Sequence, residues 1–139
     1  MTAGDAEVIA GGQSLVLLPE RAAFWRETGT LLVADPHFGK AAAFRAGGFP
    51  VPAGTTGESL SRLHSAVSRM APRRIVFLGD LLHARSGRSP SMLAALTSWR
   101  SDNEDVDVLL VRGNHDRHAG DPPAELGVEC VDEPHPDGP

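Results

Sequence analysis

The chain has 139 residues, of which 41% are hydrophobic and 22% are charged, and its formal net charge is −5. This composition is ordinary for a globular protein and excludes wholesale disorder, and no apolar run reaches the roughly 18 residues of a membrane span. The acidic balance gives no bulk positive field, so a polyanionic substrate has to be held locally, for example by bound divalent cations. Cys130 is the single cysteine, which excludes an internal disulfide and a Cys-based zinc site.

The N-terminal part of the chain predicts a run of short strands. Its first residues, MTAGDAEVIAGG, lack the basic start and the continuous apolar stretch of a secretory signal, so we expect a cytoplasmic protein. The length predicts one domain over residues 1–139. Short apolar segments at residues 7–10, 14–18, 22–25 and 30–34 are separated by Gly-Gly, Pro-Glu and Thr-Gly pairs, which is typical of a β-meander.

Helical patterns begin after residue 40. The segment AAAFRAG at residues 41–47 predicts a brief helix. Thr55, with Glu58 three residues later, forms a capping-box pattern, and apolar residues then recur at helical spacing, which predicts a helix over residues 56–70. The pair Ser89-Pro90 is typical of a helix start and predicts a second amphipathic helix.

Strands alternate with these helices. The run IVFL at residues 75–78 predicts a strand that is buried on both faces, and residues 105–111 predict another. Strand, helix, strand, helix, strand is the order of parallel strands joined by right-handed crossovers, so the fold class is α/β. A weak strand is predicted at residues 128–131, but residues 121–139 otherwise indicate a loop-rich tail, and nothing in the last twenty residues indicates an element that closes the sheet.

Polar residues follow each of the three central strands. The first strand is followed by Asp35-Pro36-His37, the second by Gly79-Asp80, and the third by Gly113-Asn114-His115-Asp116. Each alone has a structural explanation as a turn or a cap. Ligands bind outside the carboxyl ends of the strands in a parallel α/β sheet, so three such sequences together indicate a site. Carboxylate, imidazole and amide donors suit Mn²⁺, Fe or Zn²⁺, and two such ions can clamp a phosphate.

These motifs resemble those of a known superfamily. DPH, GD and GNHD, in this order and spacing, resemble the calcineurin-like metallophosphoesterases. The stretches DPHFGKAAAFRAGGFPVPAGTT and GDLLHAR are most similar to the bacterial ligase-associated DNA damage response endonucleases, and the likeness runs from about residue 31 to the C-terminus. The resemblance implies a layered metallophosphoesterase-type sandwich, with a β-sheet core and crossover helices, that hydrolyses phosphodiester bonds with two divalent metal ions, Mn²⁺ first among them.

The resemblance also implies a role for each metal-binding residue. Asp35 and His37 would hold the first ion, Asp80 would bridge both ions, and Asn114 would bind the second. The family pattern continues with another histidine and a Gly-His-x-His motif that are absent here. We therefore expect a C-terminally truncated form of the family domain, either a fragment or a shortened protein, with a weak second metal site and little activity.

Further residues are assigned to the reaction and to the substrate. The resemblance implies that His115 protonates or polarises the leaving oxygen and that Asp116 orients its imidazole, which is a general-acid arrangement. Arg85 and Lys40 follow the metal motifs closely enough to meet a substrate phosphate, although loop cations are usually only solvated.

Three readings of function remain open. The first is a phosphodiesterase or endonuclease associated with DNA repair, and a rival is an enzyme that cleaves small or cyclic nucleotide diesters. The third is an inactive or weakly active binding module for a repair partner such as an ATP-dependent DNA ligase. Homo-oligomerisation is compatible with all three.

Overall fold

The computed structural model describes residues 4–34, 55–79, 90–112, 122 and 124–132, and the strands of these residues form one seven-stranded sheet. The strands lie side by side in sequence order. The first three neighbouring pairs are antiparallel and the last three are parallel, as the sequence predicts for a meander that leads into crossover units. The α/β class is confirmed.

The antiparallel part is a meander with short turns. Its strands are β1 (Ala6–Ala10), β2 (Gln13–Leu18), β3 (Ala22–Trp25) and β4 (Thr30–Ala34). Gly11 and Gly12 join β1 to β2 with φ of 56° and 77°, the positive values that a two-residue type I′ hairpin requires at both positions. The double glycine at this point therefore fixes the register of the first hairpin.

The parallel part contains both described α-helices. It runs through α1 (Thr55–Met70), β5 (Arg74–Leu78), α2 (Pro90–Asp102), β6 (Asp107–Arg112) and β7 (Val128–Asp132). The strand predicted at residues 105–111 begins two residues later, because the Val106 amide donates to the Asn103 carbonyl and residues 103–106 form a turn. The helix predicted at residues 41–47 lies outside the described residues.

Both helices cover the same face of the sheet. Alternate residues of a strand point to one face, and on this face they form one core with α1 and α2. Neither described helix has the length and apolarity of a membrane span. The buried members of the core are Val16, Leu18, Leu31, Val33, Leu63, Ala66, Val67, Ile75, Phe77, Leu96, Val108, Leu110 and Leu126.

The C-terminal strand is an integral part of the sheet. The strand predicted at residues 128–131 is confirmed, and β7 pairs in parallel with β6 over five residue pairs. A 3₁₀ turn at Ala124–Leu126 precedes it, Leu126 is buried, and the Arg100 guanidinium donates to the Leu126 carbonyl at 2.7 Å. The weak strand predicted in the last twenty residues is thus an ordered part of the sheet, and the loop-rich tail over the rest of residues 121–139 stays a prediction.

An ion cluster ties α1 to the meander. The Arg69 guanidinium donates to both carboxylate oxygens of Glu20 at 2.7 Å and to those of Asp5 at 3.0 and 3.1 Å. Ser65 of α1 donates to the same Glu20 carboxylate at 2.9 Å. Arg69 lies in the last turn of α1, and its carboxylate partners lie far away in the sequence.

Candidate metal centre

Three neighbouring parallel strands end together at one edge of the sheet. Ala34 of β4 pairs with Leu78 of β5, and Leu78 pairs with Val111 of β6. The Gly79 amide donates to the Val111 carbonyl at 2.8 Å, so the pairing continues one residue past the end of β5. Since neighbouring strands lie about 4.8 Å apart, the points at which the three strands end fall within about 10 Å. We call this the carboxyl edge.

The predicted donor residues come directly after these points in the sequence. Asp35 follows Ala34, Asp80 follows Gly79, and Asn114 comes two residues after Arg112. The structure thus brings together the last described residue before each motif. The predicted residues themselves lie outside the described residues, so their convergence stays a prediction: Asp35, His37, Lys40, Asp80, Arg85, Asn114, His115 and Asp116.

Two of the strands that lead to this edge, β5 and β6, have consecutive side chains that are buried on both faces of the sheet. On β5, Ile75, Val76 and Phe77 are exposed by no more than 2%, and these consecutive residues point to opposite faces of the sheet. Leu109 and Leu110 of β6 are equally buried. The prediction that IVFL forms a strand buried on both faces is confirmed for its first three residues. Tight packing restrains the backbone, which is what a site needs from its supporting elements.

Gly79 has a conformational role at the end of β5. Its φ of 77° lies in the left-handed region, where a side chain costs about 1–2 kcal/mol. Glycine avoids this cost and lets the chain turn immediately after the strand while its amide still bonds to β6. The bend at Gly79 therefore ends β5 at the carboxyl edge, and the next residue in the sequence is Asp80, which is predicted to bridge two metal ions.

Arg112 brings a cation to the carboxyl edge that sequence analysis did not single out. It is the last residue of β6, and its guanidinium lies 3.2 Å from the Asp132 carboxylate at the end of β7. The Arg112 side chain is 24% exposed, whereas that of Asp132 is 69% exposed. The sequence feature that could have indicated Arg112 is its position between an apolar run and the Gly113-Asn114 sequence. Because the Asp132 carboxylate is largely exposed, this ion pair contributes little to stability.

The described residues contain no competing metal centre. They include no group of three or more His, Cys, Asp or Glu side chains that could hold an ion. His64 lies on α1 and is exposed. Cys130 is half-buried and packs against the core.

A groove of about 540 Å³ lies at the opposite, amino edge of the sheet. Arg74, Asp107 and Glu129 contribute charges of both signs to it. Arg100 also lines it, but its guanidinium already donates to the carbonyls of Leu126 and Asn103 at 2.7 Å. Because the groove carries charges of both signs and the Arg100 guanidinium is already hydrogen-bonded to two carbonyls, the groove is poorly suited to bind phosphate.

The chain is similar to a solved nuclease. Against the crystal structure of the Pseudomonas putida nuclease MPE it has a TM-score of 0.86 and 41% sequence identity. The likeness covers 97% of this chain and 63% of the nuclease chain, so this chain spans under two thirds of the nuclease's length. No protein-family model matches the chain. No curated protein matches it either. The mixed α/β fold of this chain is thus shared, over nearly its whole length, with a bacterial nuclease.

Proposed function

We propose that this chain is a metal-dependent phosphoesterase that hydrolyses phosphodiester bonds, and that it acts as a DNA-repair-associated endonuclease. One observation carries the proposal: β4, β5 and β6 end in register at one edge, where the sequence continues with DPH, D and GNHD. The similarity to the P. putida nuclease supports the same reading. Ligand sites lie at this edge in parallel α/β sheets.

The donor set that the sequence predicts for the carboxyl edge would suit two divalent ions. Asp35 and His37 would hold the first ion, Asp80 would bridge, and Asn114 would bind the second. Two carboxylates, an imidazole and an amide oxygen suit Mn²⁺ first, with Fe or Zn²⁺ as alternatives. When bound, such a pair of ions supplies Lewis acidity that stabilises the charge of the phosphate and of the attacking and leaving oxygens. Because the second ion has fewer assigned ligands, we expect it to bind more weakly than the first.

Other side chains would donate the proton and bind the substrate phosphate. His115 would donate a proton to the leaving oxygen, and Asp116 would accept a hydrogen bond from the imidazole and so fix its orientation. Arg85 and Lys40 would bind non-bridging phosphate oxygens, Arg85 through two parallel hydrogen bonds. Local cations of this kind matter because the net charge of −5 gives no long-range attraction for a polyanion.

A carboxylate-to-amide pair tests the proposal. Asp80→Asn should lower Mn²⁺-dependent hydrolysis of bis(p-nitrophenyl) phosphate by about 100-fold or more, since even removing a partner of a metal ligand costs about 10–100-fold. The control is Asp107→Asn, which removes an exposed carboxylate at the amino end of β6, the other end of the same sheet. It should retain wild-type turnover. Equal losses in the two variants would contradict the proposal.

The substrate and the role in repair need separate measurements. Single-stranded DNA, duplex DNA and cyclic nucleotides are compared under the same Mn²⁺ conditions, and preferential cleavage within DNA is the expected result. Faster hydrolysis of cyclic nucleotides would replace the endonuclease assignment with a nucleotide phosphodiesterase. If the wild type cleaves nothing but binds an ATP-dependent DNA ligase, and Asp80→Asn binds it equally well, the chain is a binding module instead.

A further inference from the structure

The outer edge of β1 is an unprotected strand edge. All five residues of β1 are exposed, with Val8 at 42% and Ile9 at 63%. Natural edges are usually protected by charged side chains, proline or bulges. Glu7 is the single charged residue of AEVIA, and its carboxylate already lies 3.1 Å from the Arg26 guanidinium. The edge is therefore apolar and almost neutral.

The opposite edge of the sheet is protected. The sequence of β7 is VECVD, in which Glu129 and Asp132 are both exposed. A second strand added there would approach two carboxylates within five residues, and such charges oppose edge-to-edge pairing. The two edges of the same sheet thus differ, and β1 is the one suited to accept another strand.

The hairpin register determines which backbone groups point outward from β1. A two-residue hairpin closes on a hydrogen-bonded pair, here Ala10 with Gln13, and hydrogen-bonded pairs alternate along an antiparallel ladder. The Ser14 carbonyl is consistent with this alternation. It accepts a hydrogen bond from the Arg26 amide on the β3 side and therefore points away from Ile9. The N–H and C=O groups of Glu7 and Ile9 consequently face outward, without a hydrogen-bond partner among the described residues.

We propose that β1 pairs antiparallel with β1 of a second copy of this chain, forming a two-fold symmetric dimer with one continuous sheet. Among antiparallel registers, the one that places Glu7 opposite Ile9 of the other copy uses all four outward groups of each strand. The two-fold axis then passes between the two Val8 residues. A register with Glu7 opposite Glu7 would place like charges together, which is unfavourable.

The side chains complement each other in this register. Val8 meets Val8 on the face of the sheet away from the helices, beside its β2 neighbour Leu15, so the two copies share an apolar contact at the two-fold axis. Glu7 faces the aliphatic Ile9 and keeps its ion pair with Arg26. Since β1 lies three strands from β4, roughly 14 Å away, the dimer leaves the carboxyl edge accessible.

A strand of five residues gives a small contact, so the dimer should be weak and concentration-dependent. Each copy carries a net charge of −5, so added salt should strengthen the association by screening repulsion. Sedimentation velocity over a concentration series measures both effects. A wild-type protein that stays monomeric up to millimolar concentration, at low and high salt, would overturn the proposal.

Charge exchange on the two-fold axis tests the register. Val8→Lys and Val8→Glu should each be monomeric where the wild type is dimeric, because like charges would then meet, and an equimolar mixture of the two should regain the dimer. The matched control is Leu17→Lys, which places the same charge at a 45% exposed site on β2 and should leave dimerisation unchanged.

Ile9→Pro is a second, independent test of pairing between the two β1 strands. Proline removes an outward N–H without breaking the bonds between β1 and β2, so this variant should fold, as monitored by circular dichroism, and remain monomeric. A mixture of the Val8 variants that stays monomeric, or a Leu17→Lys variant that dissociates as readily as Val8→Lys, would overturn the proposal.

Discussion

The helix that connects β4 to β5 should contribute strongly to stability through Leu63. This side chain is 4% exposed and lies in the core between α1 and the sheet. Leu63→Ala removes three carbon groups, a loss of about 2.4 kcal/mol at about 0.8 kcal/mol for each. The cavity left behind raises the expected loss in the free energy of unfolding to about 3–4 kcal/mol.

Urea and thermal unfolding followed by circular dichroism measure this loss. A chain of this length should lose about 10–15 °C in Tm. Leu60→Ala is the matched control, because it removes the same atoms one turn earlier on α1, where the side chain is only partly buried. It should cost less than half as much. Equal losses in the two variants would refute the inference that α1 is anchored to the sheet through Leu63.

Three further predictions concern the ion cluster, the turn after β5 and the proton donor. The Arg69 guanidinium, by hydrogen bonding, holds the pKa of Glu20 below its ordinary 4.5, so the stabilisation from the Glu20 carboxylate is full above pH 4.5 and is lost as the pH falls through the lowered pKa. The wild type should therefore have a larger free energy of unfolding than Glu20→Gln at pH 7, and the difference should shrink in acid. A difference that does not change with pH would contradict this prediction. Gly79→Ala should cost about 1–2 kcal/mol, because φ is 77° there, and it should also weaken Mn²⁺ binding measured by calorimetry, whereas unchanged metal affinity would separate this turn from the site. His115→Asn should slow hydrolysis of alkyl esters by about 10²–10⁴-fold and that of p-nitrophenyl esters much less, because a good leaving group needs no proton, and equal losses for both would exclude general-acid catalysis by His115.

The order of the elements was predictable because local patterns specify them. The Gly11-Gly12 pair marks the first hairpin, and the capping box at Thr55 marks the start of α1 within one residue. The alternation of strands and helices then predicts parallel pairing, since right-handed crossovers leave few alternatives. This is why the shared edge of β4, β5 and β6 could be predicted from the sequence alone.

Features that depend on distant partners were not predictable. The sequence VECVD predicted β7 only as a weak strand, because its two acidic residues weaken the strand signal, and its pairing with β6 and the Arg100 contact to Leu126 could not be predicted. The ion pairs of Arg69 could not be predicted either, because its partners, Asp5 and Glu20, are 64 and 49 residues away in the sequence. Only the folded chain brings such groups together.

The most direct test of the central claim is where Mn²⁺ binds on the sheet, measured by nuclear magnetic resonance. The paramagnetic ion broadens nearby amide signals, and the effect falls steeply with distance. Titration should broaden Ala34, Leu78, Gly79 and Val111 at the carboxyl edge well before Arg74 at the other end of β5, which is about 13 Å away along the strand. Broadening that begins at Arg74, or spreads evenly along β5, would contradict a metal centre at the carboxyl edge.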